Sequence, residues 1–356
     1  MAGDDALRQL CACDSVFRER YEGWSVLGRG PWATVVRTQS RDLGHDIALK
    51  VFVNLDPERL ARVRHEVRAV QALSTPYVVH VHSLFDRGAL AWFEMELVEG
   101  TNLQEEMERL ARGGDGLPLI RAHEIALAVS RCVWHAHRHG VVHRDIKPAN
   151  VLLPASGQPA AKVSDFGIAR LADVVHATPP GTITGTPLFA SPEALAGQPV
   201  GPAHDVYALG VTLYTLFTGG RLPFDVARPT SIASLRRLQL AGEPVALRTH
   251  APAIDDQVER AVMCAMASSP ADRPSLRRVV LALERAHARL VAGNSNAGIH
   301  VPVNAWRIAL ASLGLAALGL WARFGRRRDR FVPPARNGGS AREDEEAAMR
   351  PRPPQP

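Results

Sequence analysis

Cysteine is scarce in this chain: four among 356 residues, and only Cys11 and Cys13 lie close together. That count and spacing exclude a disulfide framework and the usual four-ligand zinc patterns. Cys11 and Cys13 read either as half of a metal or redox site or, more plainly, as two unrelated thiols in a short N-terminal helix. A leader is missing too. The chain starts Met-Ala-Gly-Asp-Asp, with no basic stretch running into an apolar one, so no signal peptide is read. There is no internal repeat. A broad basic surface is also lacking. The net charge is +6, but residues 323–356 hold nine arginines against five acidic residues, which leaves the rest of the chain only slightly positive. A charge confined to a tail argues against a nucleic-acid partner.

What is present is enough apolar material for a core, 46% of all residues. Residues 1–20 read as a polar, helical extension. From Tyr21 to Leu97 the texture is strand-like, with short β-branched or aromatic runs at Trp24–Leu27, Thr34–Thr38, Asp46–Val53, His80–Phe85 and Leu90–Leu97. One helix interrupts them: Pro57 suits a first turn, and Leu60, Val63, Val67 and Val70 recur at three and four residues. Beyond Gly100 the pattern is helical, at Asn102–Ala111, Leu119–His139, Ala203–Thr218, Ile254–Ala267 and Ser275–Ala292. A small β-rich half followed by a larger α-rich half predicts an α+β, two-lobed architecture.

The chemistry-bearing residues fall in three places. Gly28, Gly30, Ala33 and Val35 lie in Gly-Arg-Gly-Pro-Trp-Ala-Thr-Val, a glycine-containing turn between strands that can fold over phosphates. Lys50 ends Ile-Ala-Leu-Lys in an apolar strand, where an ammonium needs a partner, and Glu66 on the interrupting helix is a candidate. The third place is His143-Arg144-Asp145-Ile-Lys147-Pro-Ala-Asn150-Val-Leu152, followed by Asp165-Phe-Gly167. Phosphoryl transfer requires a carboxylate near the incoming hydroxyl, oxygen ligands for a metal ion and fixed cations on the moving phosphate. Asp145, Lys147, Asn150 and Asp165 supply these types.

These motifs resemble the eukaryotic-like (Hanks-type) protein kinase family, and within it the bacterial serine/threonine kinases; the resemblance covers about Trp24 to Leu290. It implies a bilobal kinase fold over residues 21–292, with an N-lobe at 21–99 and a C-lobe at 100–292. It implies ATP and Mg²⁺ (or Mn²⁺) as cofactors, protein substrates phosphorylated on Ser or Thr, and autophosphorylation. Asp145 is then the base, Lys147 the γ-phosphate cation, Lys50 the α/β-phosphate cation paired with Glu66, and Asn150 and Asp165 the metal ligands. Leu27, Gly28, Gly30, Val35, Ala48 and Leu152 would enclose the nucleotide, with Met95 as gatekeeper and Glu96 and Val98 as hinge contacts. Pro31, Trp32 and Ala33 depart from the usual loop, and Ser191 stands where the family usually has alanine in Ser191-Pro192-Glu193. Asp205 resembles the residue that props the catalytic loop, and Arg273 the partner of Glu193. The rival reading is a nucleotide-binding pseudokinase.

Two further features remain. An arginine at Arg144 is expected to stand as an uncompensated cation until an anion reaches it, and Thr178, Thr182 and Thr184 lie where a phosphate would arrive, with Thr182 or Thr184 preferred. His135, His137, His139 and His143 invite a metal-site reading, although packing and loop positioning explain His137 and His143 within the family. After a linker at 293–304 comes the stretch 305–323. Its charge-free part, Ile308–Ala322 between Arg307 and Arg323, would span roughly 22 Å as a helix against about 30 Å of hydrocarbon. Insertion is marginally favoured, by about 3 kcal/mol. The six arginines that follow favour a cytoplasmic C-terminal side, whereas ATP requires the kinase, on the N-terminal side, to be cytoplasmic. A single span cannot satisfy both. The stretch therefore crosses the inner membrane against the charge bias, lies on its anionic surface, or packs on protein. Residues 324–356, rich in Pro, Arg and Glu, read as disordered.

Overall fold

The computed structural model describes residues 14–301 except 31–32, 54, 88–89, 115, 167–186, 225–230, 242–243 and 294–299. The chain enters through α1 (Ser15–Arg20) and forms β1 (Tyr21–Arg29), β2 (Ala33–Ser40) and β3 (Asp46–Phe52). Helix α2 (Pro57–Gln71), β4 (Val81–Arg87) and β5 (Leu90–Met95) complete an antiparallel sheet of order β1-β2-β3-β5-β4. Helix α2 starts where its sequence says it should: the Asp56 carboxylate accepts from the Arg59 N–H at 2.8 Å, and Pro57 sits in the first turn. Its stripe of Leu60, Val63, Val67 and Val70 is buried against the sheet.

The other face of the sheet is covered by α1. Phe17 and Tyr21 pack with Val36, Ile47, Leu49, Val51 and Trp92 in a second core. Trp92 donates through Nε1 to the Tyr21 oxygen at 3.0 Å, and the Tyr21 hydroxyl donates to the buried Glu94 carboxylate at 2.8 Å. Part of what reads in sequence as a polar extension is thus a structural piece of the small lobe.

After β6 (Gly100–Asn102) come α3 (Leu103–Gly113), α4 (Leu119–Arg138), β7 (Val151–Pro154) and β8 (Lys162–Val163), with β6, β7 and β8 pairing in a second small sheet. The short α5 (Pro192–Leu195) precedes α6 (Pro202–Phe217), followed by α7 (Ile232–Ala241), α8 (Leu247–His250), α9 (Asp256–Ala265) and α10 (Leu276–Ala292). Every residue of α6 from His204 to Phe217 is buried, which matches a helix apolar on all sides at the centre of a lobe. Gly210 lets α9 come close, since a Cβ there would stand 2.9 Å from Ala265 and Met266 side-chain atoms. Past α10 the chain returns: the Val301 N–H donates to the Leu117 carbonyl at 2.7 Å, and Val301 is 4% exposed. Among the described residues no helix is long and apolar enough to cross a membrane; 305–323 lies outside them.

His123, in α4, is 1% exposed, lies tilted against Phe217 with ring centroids 5.1 Å apart and has no partner for Nδ1 among the described residues. Burial, reinforced by His287 and opposed by Asp255, pushes its pKa down to about 4. An unfolded chain takes up this proton near pH 6.5 and the folded chain only near 4, so acid favours unfolding. Stability is therefore expected to fall by on the order of 3 kcal/mol from this group as pH drops through that window. Urea titrations at several pH values check this: His123→Leu should flatten the acid limb.

Candidate active site

The roof of the cleft is apolar. Leu27, Val35, Ala48, Met95 and Leu152 all belong to the main core cluster, with Leu97 and Val98 packed on it. Sheet pairing aligns them: Val35 faces Lys50 across β2–β3, and Ala48 faces Met95 across β3–β5. Gly28 sits at a register shift in β1, and the Gly30 N–H donates to the Ala33 carbonyl at 2.8 Å, drawing the two strands together at the tip. At the hinge the Glu96 carboxylate accepts from Lys162 at 2.8 Å and from the His80 N–H at 3.3 Å, while its own N–H donates to the His80 carbonyl. Val98, expected with Glu96 to contact the nucleotide at the hinge, packs on the core cluster.

The charged residues lie in two hydrogen-bonded groups. Lys50 Nζ donates to Asp165 Oδ1 at 2.6 Å. Lys147 Nζ donates to Asp145 Oδ2 at 2.8 Å. The Asn150 amide donates to the Asp145 carbonyl at 2.7 Å and to its carboxylate at 3.0 Å, so its oxygen is the atom left for a ligand. Asn150 Oδ1 and the Asp165 carboxylate are hard oxygens that suit Mg²⁺ or Mn²⁺. Among the described residues no three His, Cys, Asp or Glu side chains make a self-sufficient metal site.

The expected Lys50–Glu66 ion pair is not formed. Glu66 Oε1 instead accepts from Arg144 at 3.1 Å, so four charges make two crossed pairs. Each cation takes the carboxylate within hydrogen-bond reach, and Arg144 is accordingly not the uncompensated cation the sequence suggests.

A family profile described as the protein kinase domain matches residues 21–282. The chain belongs to the protein kinase family. It is 34% identical over 258 residues to serine/threonine-protein kinase PrkC of Bacillus subtilis, covering 71% of this chain and 38% of that protein. It is 32% identical over 264 residues to PknB of Mycobacterium leprae, covering 72% and 41% respectively. The chain thus spans about two-fifths of the length of these curated relatives. Among solved structures, the PknI kinase domain of Mycobacterium tuberculosis matches with a TM-score of 0.56 at 26% identity, over 75% of this chain and 96% of that one. The autoregulated twitchin kinase fragment of C. elegans matches at 0.65 and 23% identity, over 82% and 62%, as a likeness of fold.

A scaffold beneath the cleft holds this kinase domain's catalytic loop. Asp205, fully buried, accepts from the His143 N–H at 2.7 Å and His137 Nε2 at 2.8 Å on one oxygen, and from the Arg144 N–H at 2.7 Å on the other. Burial alone would raise its pKa, but the His137 hydrogen bond and the nearby His143 hold it below the ordinary carboxylate value. His143, tilted against Phe166 at 4.5 Å, donates through Nε2 to the Ser164 carbonyl and accepts the Asp145 N–H on Nδ1. Burial, despite the surrounding carboxylates, lowers its pKa, so the ring is neutral and its tautomer set. Arg144 and Asp165 both have left-handed backbones, with φ of 66° and 60°. Glu193 accepts twice from Arg273, at 2.6 and 2.8 Å.

His137 is therefore occupied by Asp205, while His135 and His139 lie against each other at 4.3 Å. Thr178, Thr182 and Thr184, and also Cys11 and Cys13, lie outside the described residues. Sequence reading missed Lys162 and His204, since a lysine beside an aspartate motif and a histidine at a helix start carry no signal of their partners.

Proposed function

We propose that this chain is an ATP-dependent serine/threonine protein kinase that phosphorylates proteins and itself. The observation that carries the reading is the pairing of Lys50 with Asp165 and of Lys147 and Asn150 with Asp145, the two groups joined by the Ser164 N–H donating to the Asn150 carbonyl at 3.0 Å. Val35, Ala48 and Leu152 sandwich adenine, and Lys50 holds the α- and β-phosphates. Asp145 orients the acceptor hydroxyl and receives its proton, and Lys147 balances charge on the transferred group. Asn150 and Asp165 hold a divalent cation, which when bound neutralises phosphate charge. For Glu66 to reach Lys50 it must leave Arg144, and a phosphate on Thr182 or Thr184 is the anion that would take its place there. Residues 305–323 associate with the inner membrane, a reading supported by their charge-free apolar run.

Two measurements test this. Purified chain with labelled ATP should place label in protein on Ser or Thr. Label on small metabolites alone would refute protein phosphorylation, and nucleotide binding without transfer would favour the pseudokinase. Fractionation of tagged full-length chain should find it with membranes; recovery wholly in the supernatant would remove the membrane assignment.

A further inference from the structure

His204 occupies the third position of α6, next to Asp205, and is 2% exposed. Its Nδ1 lies 2.9 Å from Ser191 Oγ and its Nε2 lies 3.3 Å from the Arg144 carbonyl oxygen. Ser191 is itself fully buried and accepts the Ala194 N–H at 3.4 Å, capping α5. The direction of the chain follows from donor chemistry. A carbonyl oxygen only accepts, so the proton is on Nε2; Nδ1 then accepts, and the Ser191 hydroxyl donates to it. The run is Ala194 N–H to Ser191 Oγ, Ser191 O–H to His204 Nδ1, and His204 Nε2–H to the Arg144 carbonyl, with the Glu193 carboxylate as the competing acceptor for the Ser191 proton. Its far end is the peptide joining Arg144 to Asp145. The Arg144 N–H is already held by Asp205, and its backbone is in the left-handed region at φ 66°. That conformation persists only where its surroundings enforce it.

We propose that His204 is a positioning residue: it fixes the peptide plane carrying Asp145, and Ser191 keeps the histidine proton on the nitrogen that does so. The inference rests on the kinase reading for its kinetic test and on backbone protection for an independent one. With labelled ATP and dephosphorylated casein as acceptor, His204→Ala is expected to lower kcat about tenfold while the KM for ATP stays within about twofold, because the nucleotide roof lies elsewhere. Glutamine carries a fixed amide donor near the position of Nε2 and needs no tautomer setting. Ser191→Ala should therefore lower kcat several-fold in the wild-type background and scarcely at all in the His204→Gln background; the lost α5 cap is common to both and cancels. Amide hydrogen exchange over residues 143–147 should speed up in His204→Ala and return to the wild-type rate in His204→Gln, whether or not the chain turns over.

Equal Ser191→Ala losses in both backgrounds would overturn the proposal. So would a kcat for His204→Ala within twofold of wild type, or unchanged exchange over 143–147. If His204→Ala does not fold, the His204→Gln and Ser191→Ala comparison decides alone.

Discussion

Asp145→Ala is expected to lower phosphate transfer to protein by about 10²- to 10⁴-fold, the usual contribution of a positioned base. Nucleotide binding should persist, because the apolar roof of Leu27, Val35, Ala48, Met95 and Leu152 comes from other strands. Alanine also removes the carboxylate that Lys147 and Asn150 contact, and the Lys147 side chain is only 4% exposed. Asp145→Asn separates the two effects: it keeps an oxygen for Lys147 and has no basic carboxylate. Both variants should lose transfer alike, while the asparagine variant unfolds in urea close to the wild-type midpoint. Label transfer and titration with a fluorescent nucleotide analogue check the pair. Transfer by Asp145→Asn within tenfold of wild type would show that another group takes the proton.

The largest effect on stability is expected at Arg273. Its side chain is 1% exposed, and its guanidinium holds both Glu193 oxygens as well as the carbonyls of Ala203, Ala267 and Ser268. It also lies over the Tyr207 ring at 5.1 Å. Removing one partner leaves a largely buried carboxylate without its counter-charge, which costs about 3–5 kcal/mol, a large part of a domain's total stability. Arg273→Met should therefore shift the urea midpoint strongly, and Arg273→Met with Glu193→Gln should recover part of the loss because the stranded charge is gone. Burial raises the Glu193 pKa, but the Arg273 hydrogen bonds outweigh it and hold it below the ordinary value. The stability from this pair is accordingly present at neutral pH and is lost as acid protonates the carboxylate.

Local rules made much of the architecture legible. The Leu60-Val63-Val67-Val70 stripe, the Pro57 start and the long apolar α6 each state their own secondary structure. The residue types at Lys50, Asp145, Asn150 and Asp165 likewise announce one chemistry. What local rules do not contain is the pairing of charges between distant segments. Lys50 has two candidate carboxylates, Glu66 and Asp165, and only the three-dimensional path of α2 and of the left-handed Asp165 decides between them. The short strands β6, β7 and β8 were missed for a similar reason, being defined by each other and not by a pattern of their own. Helix α7 buries only Leu235 and Gln239, too little periodicity to stand out. The role of α1 was hidden because one phenylalanine in a polar hexapeptide gains its weight from Tyr21, Trp92 and Phe85 around it.

The return of the chain to Leu117 also sets a direction for anything tethered to it. Val301 is fastened just before the first turn of α4, and the opposite end of that 20-residue helix leads within a few residues to His143 and Asp145. At 1.5 Å per residue the helix is a strut of about 30 Å. The last described residue and the His143–Asp145 loop thus lie toward opposite ends of one helix, separated by about that length.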